Sequence, residues 1–352
     1  MSVSGKKGNV APPVSAFQGK QLSLFQTFLC GNDEDRDRLS NTIELWDGVP
    51  KYFISKQEMN KRRNAEGYLP SVEKEFHYKD RMFSVKIIPA RITGKNGKDK
   101  EFYTSAREEL VEDALRKICA EQNYGFTQAQ DTGVVFSMYL LRQELKKRGH
   151  TMSYQQVVES LQILARSQII ITTQDGKAVV ESPPITSLAA VSREKYSKDP
   201  SAKWIVYFNP LVSQSIQKIT YRQFDYHTMM SHRSQLARWL HKRLSHNYVQ
   251  ANYLSPYTFL FSSINRDSGL FNYQRLRDQI DYLDESLNEL KEAKVILSVE
   301  REERKGARGK IIDVKYTLLP SVEFVTDIKA ANKRQSLAIE EAEKDSQKIK
   351  SR

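Results

Sequence analysis

Ten residues toward the carboxy terminus, Arg301-Glu-Glu-Arg-Lys-Gly-Ala-Arg-Gly-Lys310, hold five cations, two acids and two glycines. Apolar runs flank them, which makes the segment a hairpin tip whose glycines allow close backbone approach. Arg304, Lys305, Arg308 and Lys310 there can follow a chain of phosphates or enter a minor groove. Upstream, Tyr273-Gln-Arg-Leu-Arg-Asp-Gln279 opens a helical stripe. Leu276 and Ile280 face inward at that spacing, leaving Gln274, Arg275, Arg277 and Asp278 outside. Arg can take guanine with two hydrogen bonds and Gln can take adenine, so this is the composition of a base-reading helix end. Farther along come Asp281, Asp284, Glu285, Glu289 and Glu292, which confine the reading face to the opening turns. Arg233, Arg238, Lys242 and Arg243 lie in a stretch with no acid between Ser231 and Gln250, and are expected to clamp phosphates.

No constellation for catalysis accompanies these cations. Gly306-Ala-Arg-Gly-Lys310 lacks the spacing and the hydroxyl of a phosphate-cradling loop. The six histidines are His77, His150, His227, His232, His241 and His246, and no two are separated by a single residue. That excludes the paired metal ligands of rolling-circle nicking enzymes. His241 and His246 do not share a helix face, and no cysteine lies near to complete a zinc site. The sequence therefore predicts no enzyme, no metal site and no cofactor.

Charge over the whole chain agrees with a polyanionic partner. Lys and Arg number 55 against 43 Asp and Glu, a net +12 in 352 residues. Such a surplus fits nucleic acid or an acidic membrane surface. No apolar run approaches the roughly 20 residues of a spanning helix. Two cysteines, Cys30 and Cys119, make no disulfide framework, which predicts a cytosolic chain. Met1 to Lys20 has no apolar core of a secretory signal.

The elements that must position these residues form a concealed repeat. Ser160-Leu-Gln-Ile-Leu-Ala-Arg-Ser-Gln-Ile-Ile-Ile-Thr-Thr173 returns 126 residues later as Ser286-Leu-Asn-Glu-Leu-Lys-Glu-Ala-Lys-Val-Ile-Leu-Ser-Val299. Each closes a helical stripe and opens a β-branched run. Before the first copy, Ser105-x-x-Glu108 caps a helix with Leu110, Ala114, Leu115 and Ile118 on one face. A strand at Val134–Phe136, a helix over Met138–Lys147, a break at Gly149 and a Ser153-capped helix over Tyr154–Arg166 follow. Ile169–Thr173 then turns at Asp175-Gly176 into Ala178-Val179-Val180. Before the second copy come a helix over Ser234–Tyr248 and a strand over Tyr257–Leu260. A short helix at Phe261–Ile264, a turn at Arg266–Gly269 and a long helix over Tyr273–Ala293 complete it. Val295–Val299 pairs with Ile311–Leu318 across the basic tip. Helix, strand, helix, turn, helix, hairpin is the order of a winged helix, present twice.

The predicted class is α+β: two tandem winged-helix domains with flexible N-terminal and C-terminal tails. Residues 1–41 form the first tail, 42–210 the first winged helix with an N-terminal strand extension, 211–326 the second, and 327–352 a charged tail. In the first domain Gln155 and Gln156, with Arg142, Lys146, Lys147 and Arg148 before them, leave phosphate contact and dimerisation both open.

Phe136-Ser-Met-Tyr-Leu140 leading to Ser160–Leu164, and Tyr257-Thr-Phe-Leu260 leading to the Arg-rich helix and wing, resemble the initiator proteins of theta-replicating plasmids, of the TrfA-like branch. The likeness spans roughly residues 76 to 320. It implies a protein whose second winged helix reads direct repeats (iterons) at an origin and whose first supports a homodimer or further DNA contact. It also implies helicase loading with a host initiator and replicative helicase. A winged-helix regulator binding an operator as a dimer would use the same DNA surface.

One island in the polar first tail, Gln21-Leu-Ser-Leu-Phe25, matches the pentapeptide by which bacterial proteins dock on the replicative sliding clamp. Leu24 and Phe25 would fill an apolar pocket, Leu22 would pack at its edge, Ser23 would span between them and Gln21 would hydrogen-bond at the rim. Two such side chains bury about 3–6 kcal/mol gross, and ordering a loose tail reduces that to a weak grip. Alanine at both Leu24 and Phe25 should abolish clamp pull-down while leaving DNA affinity intact.

Overall fold

Alternating apolar residues at Val72, Phe76, Val85 and Ile87 build the first buried hairpin, and α-helical residues from Leu110 to Ile118 share its core. The computed structural model describes residues 39–350, apart from 79–80, 95–96, 121–123, 129–130, 175–178, 191–198, 200 and 218. Tail residues 1–38, and Gln21 to Phe25 with them, lie outside the described residues.

The chain runs β1 (Leu39–Thr42), α1 (Glu44–Gly48) and α2 (Lys56–Arg62) into two hairpins. These are β2 (Val72–Tyr78) with β3 (Arg81–Ile88), and β4 (Ala90–Thr93) with β5 (Asp99–Phe102). Then come α3 (Ala106–Ala120), β6 (Gly125–Gln128), β7 (Asp131–Ser137), α4 (Met138–Lys147) and α5 (Tyr154–Arg166). Strands β8 (Gln168–Thr173), β9 (Val179–Ser182), β10 (Ile185–Ala189) and β11 (Lys203–Phe208) follow, then α6 (Pro210–Gln217), β12 (Arg222–Asp225) and α7 (Tyr226–Ser231). The remainder is α8 (Gln235–Asn247), β13 (Tyr257–Leu260), α9 (Phe261–Ser268), α10 (Leu276–Glu292), β14 (Ile296–Lys305), β15 (Ile311–Pro320) and α11 (Val322–Lys350).

The second module is a winged helix in order and in pairing. Its sheet runs β13-β15-β14, with α8, α9 and α10 packed on it through Leu236, Leu240, Leu244, Ile264, Leu283 and Leu287. The first repeats the order with a different pairing. Its hairpin β8–β9 joins β2 and β3 in one sheet, β2-β3-β8-β9, while β7 pairs with β6 and β11. Local caps match the sequence reading. Ser153 and Gln156 form a reciprocal capping box at α5, and the Ser105 amide and hydroxyl donate to Glu108 at α3.

Three expectations give way. The first core continues past residue 210, through Phe224, Met229 and Met230, and the second begins at Leu236. The charged segment from residue 327, expected as a frayed helix or a disordered tail, is helical within α11, whose start is packed: Phe324, Ile328 and Ala331 are buried at i, i+4 and i+7. Farther along, Arg222 of β12 hydrogen-bonds Asn332 and Gln335. Finally, α3 is buried on every side rather than on one face: Glu108, Glu109, Glu112, Asp113, Arg116 and Lys117 are all enclosed. Among the described residues, no helix is long and apolar enough to cross a membrane.

The enclosed charges of α3 join the two modules. Arg116 takes both oxygens of Asp47 at 2.7 and 3.0 Å and reaches Asp113 at 2.6 Å. Lys242 of α8 bonds Asp113 at 2.6 Å and Glu109 at 3.3 Å. Trp46 and Tyr52 both donate to Glu112. Burial alone would lower the Lys242 pKa, but Asp113 and Glu109 beside it outweigh burial and raise it. Removing one partner from such a cluster strands the others in low dielectric, typically about 3–5 kcal/mol. Lys242→Ala should therefore lose stability of that order in urea unfolding, whereas alanine at the exposed Lys291 should change it by less than about 0.5 kcal/mol.

Candidate nucleic-acid interface

The reading end of α10 is set by a stop and a start. Helix α9 runs through Ser268 and ends at Gly269, whose φ of +67° is a left-handed conformation suited to glycine. Leu270 and Phe271 then tuck the turn into the core, with Phe271 edge-on to Phe261 and Tyr282. The helix expected from Tyr273 begins at Leu276, with Arg275 as an extended N-cap residue lacking a side-chain cap bond. Gln279 Nε2 donates to the Tyr273 carbonyl at 2.6 Å and fixes the approach. Gln274, Arg275, Arg277 and Asp278 stand exposed, and Ile280 is buried. The Arg277 side chain is 90% exposed and only loosely paired with Asp281, at 3.8 Å.

Two of the acids farther along α10, Asp284 and Glu289, have structural partners, while Glu285 and Glu292 are exposed. Asp284 accepts from Arg301 at 2.8 Å and from the Tyr316 hydroxyl at 2.7 Å, tying the helix to the wing. Glu289 accepts from the backbone amides of Arg233 and Ser234 at 2.7 and 3.1 Å, at the start of α8. Asp313 on β15 takes the Ser262 amide at the start of α9, at 3.1 Å. Negative charge in this module is thus drawn toward helix starts and the wing root.

The wing is longer and its tip shorter than the sequence reading gave. Strand β14 stays paired through Lys305, leaving Gly306–Lys310 as the turn, closed by Gly306 N donating to Lys310 O at 2.8 Å. Arg308 and Gly309 take φ of +62° and +71°. Arg304, Lys305, Arg308 and Lys310 are all exposed. Arg304 lies opposite Asp313 in register, and Lys305 reaches Glu303 at 3.3 Å.

The clamp expected on α8 is reduced to Arg233, which is exposed. Arg238 is 3% exposed, and its Nη1 donates to the carbonyls of His232 and Arg233 at 3.0 and 3.2 Å. Lys242 is committed to Glu109 and Asp113. Arg243 pairs with Asp267 at 3.3 Å and lies over the Trp239 ring at 5.2 Å. The reason is packing: α8 buries its apolar stripe in the second core, turns Lys242 onto the acids of α3, and spends Arg238 and Arg243 on the link before it and on Asp267 of α9. The sequence did hold a signal, since Glu109 and Asp113 four apart on α3 offer one cation two carboxylates.

In the first module, Gln155 and Gln156 are exposed in the opening turn of α5, and Lys146 and Lys147 on α4 are exposed. Arg148 is enclosed: it bonds Glu144 at 2.9 Å, meets His227 Nδ1 at 2.6 Å and lies over the Tyr226 ring. Among the described residues, no group of His, Cys, Asp and Glu is placed to hold a metal ion.

The sequence matches no family model and no curated protein. Among solved structures, the chain is similar to a selenomethionine crystal structure of domains 2 and 3 of RctB. The identity is 11% over 79% of this chain and 98% of that one, with a TM-score of 0.49. A second structure of RctB domains 2–3 aligns at 10% identity over 73% of this chain and 94% of that one, TM-score 0.42. The Pi initiator protein in complex with iteron DNA aligns at 12% identity over 67% and 98%, TM-score 0.41.

The joint behind this interface is proton-sensitive. His232 Nε2, in the link between α7 and α8, and His241 Nδ1, on α8, lie 3.1 Å apart and are both buried. Burial, then the neighbouring ring and Arg238, pull His232 down to about 3. Burial and then Lys242 do the same to His241, also to about 3. Both rings are neutral in the folded chain, while an unfolded histidine titrates near about 6.5. Below that value the unfolded state binds more protons, so stability is full above it and falls as pH drops, by up to about 1.4 kcal/mol per pH unit per ring. The urea midpoint should fall between pH 7 and pH 5, and His232→Gln/His241→Gln should flatten that dependence.

Proposed function

We propose that the chain is a non-enzymatic replication initiator that binds duplex DNA through its second winged helix. The observation that carries the reading is the pairing of an exposed Gln274, Arg275 and Arg277 at an uncapped helix start with an exposed basic wing tip, in a module where Asp284 and Glu289 are bonded to its own arginine and amides. Gln274, Arg275 and Arg277 read bases in the major groove. Arg304, Lys305, Arg308 and Lys310 hold phosphates beside it, with Arg233 as a further contact. The partner is origin DNA carrying direct repeats. Several copies bound in tandem would strain and open adjacent AT-rich duplex. Gln21 to Phe25 would recruit the sliding clamp. Loading of a replicative helicase with a host initiator follows from the resemblance.

Protection mapping on the DNA flanking this gene tests the reading. Tandem direct repeats with unwinding of neighbouring sequence support it, and a single inverted repeat covered by a dimer would replace it with a transcriptional regulator. Arg275→Ala should cost about 1–3 kcal/mol of specific affinity and relax sequence preference. Equal loss on specific and random duplex would remove its base-reading role. Lys305→Ala/Arg308→Ala should weaken specific and random duplex alike.

A further inference from the structure

We infer that the β4–β5 hairpin is a second phosphate-contacting wing, set by the first module beside the opening turn of α5; this rests on the duplex-binding role proposed above. The hairpin that follows α5 in wing order, β8–β9, is taken into a four-stranded sheet, paired to β3 from Ile88↔Gln168 to Phe83↔Thr173. The β4–β5 hairpin instead pairs only with itself and lies along α5. Ala90 and Ile92 pack on Ile163, with Phe102 against them. At the carboxy end of α5, Arg166 Nη1 donates to the Arg91 carbonyl at 3.2 Å. Toward the amino end, Thr93 and Lys98 share a groove of about 530 Å³ with Gln155 and Val158. The hairpin therefore runs along α5 against its direction and brings its tip to the turn that exposes Gln155 and Gln156.

Tip geometry and charge both suit a polyanion. Gly97, at φ +73°, closes the turn with its amide on Gly94 O at 3.0 Å, and among the described residues a Cβ there would meet nothing within 4 Å. That side of the turn is open to an approaching backbone. Arg91, Lys98, Lys100 and Arg166 are exposed along the same element pair. The neighbouring acids are largely occupied. Glu101 is buried, accepting from Leu69 N and Arg91, Asp99 accepts from Thr93 Oγ1 at 2.7 Å, and Glu159 accepts from Arg107 at 3.1 Å. Glu66 is the exposed acid on the groove rim. Lys98 and Lys100, nearest the tip, are the phosphate contacts, and Arg166 extends the line.

The full chain is titrated with a mixed-sequence duplex long enough for both modules, across a range of salt concentrations. Lys98→Ala/Lys100→Ala should make the slope of log affinity against log salt shallower by about 2, because each lost phosphate contact removes about 0.9. Hydroxyl-radical protection should retreat at one end of the site while base preference is kept. Lys98→Glu/Lys100→Glu, checked for fold by circular dichroism, should weaken binding further. An unchanged slope and unchanged protection in both variants would overturn the inference. If duplex binding persists and responds to Lys305→Ala/Arg308→Ala alone, the hairpin assignment falls and the proposed function stands. If the unsubstituted chain binds no duplex at low salt, both fall.

Discussion

Lys242 held between Glu109 and Asp113, with Arg116 passing from Asp113 to Asp47, is the contact on which the arrangement of the two modules depends. Enclosing such ions is costly in desolvation, and well-packed apolar residues would serve stability as well or better. What charges add is direction. A lysine between two carboxylates four residues apart fixes where α8 lies along α3, and the forked Arg116 fixes α1 against the same helix. Phe53, packed against both cores, and Gln235, bonded to Tyr52 O and Glu109, support this joint. Because α8 also opens the second winged helix, the joint governs how α5 and α10 face one partner.

Much of the second module was legible in the sequence, because each of its elements buries one face and exposes the other. The strand Tyr257–Leu260 was recovered in full, and the wing strands were displaced only where pairing continued beyond the apolar run. Legibility failed where an element is enclosed on every side. The periodicity of α3 shows its apolar stripe, but nothing local reveals that Glu109, Glu112, Asp113 and Arg116 meet partners from elsewhere in the chain. Arg238 and Lys242 failed for the matching reason: a basic stripe looks the same facing solvent as when one cation turns onto backbone carbonyls and the other onto buried acids. The start of α11 was missed because the boundary at residue 326 cut Phe324 and Val325 off from Ile328 and Ala331, leaving mostly charged residues to define the tail.

A net charge of +12 says little about where a polyanion would lie, since several cations are consumed inside. The placement of acids says more. Asp284, Glu289 and Asp313 each satisfy an amide or an arginine at a helix start or wing root, so their fields are largely compensated locally. At the helix start and the wing tip the exposed cations, Arg275, Arg277, Arg304, Lys305, Arg308 and Lys310, outnumber the exposed acids Asp278, Glu302 and Glu303, which leaves a positive potential along that rim.

Strand order carries a consequence for synthesis. Strand β15 is the middle strand of the second sheet and the last to be made, so β13 and β14 have no ladder partner until it emerges from the ribosome. Phe324, Val325 and Ile328, which finish the same core, come later still. Domains made first generally fold first, and here the amino-terminal module can settle around α3 while the nascent carboxy-terminal half keeps open strand edges. A chain stalled before β15 would expose those edges and lack a finished wing, so the proposed duplex-facing surface is complete only once β15 has been made.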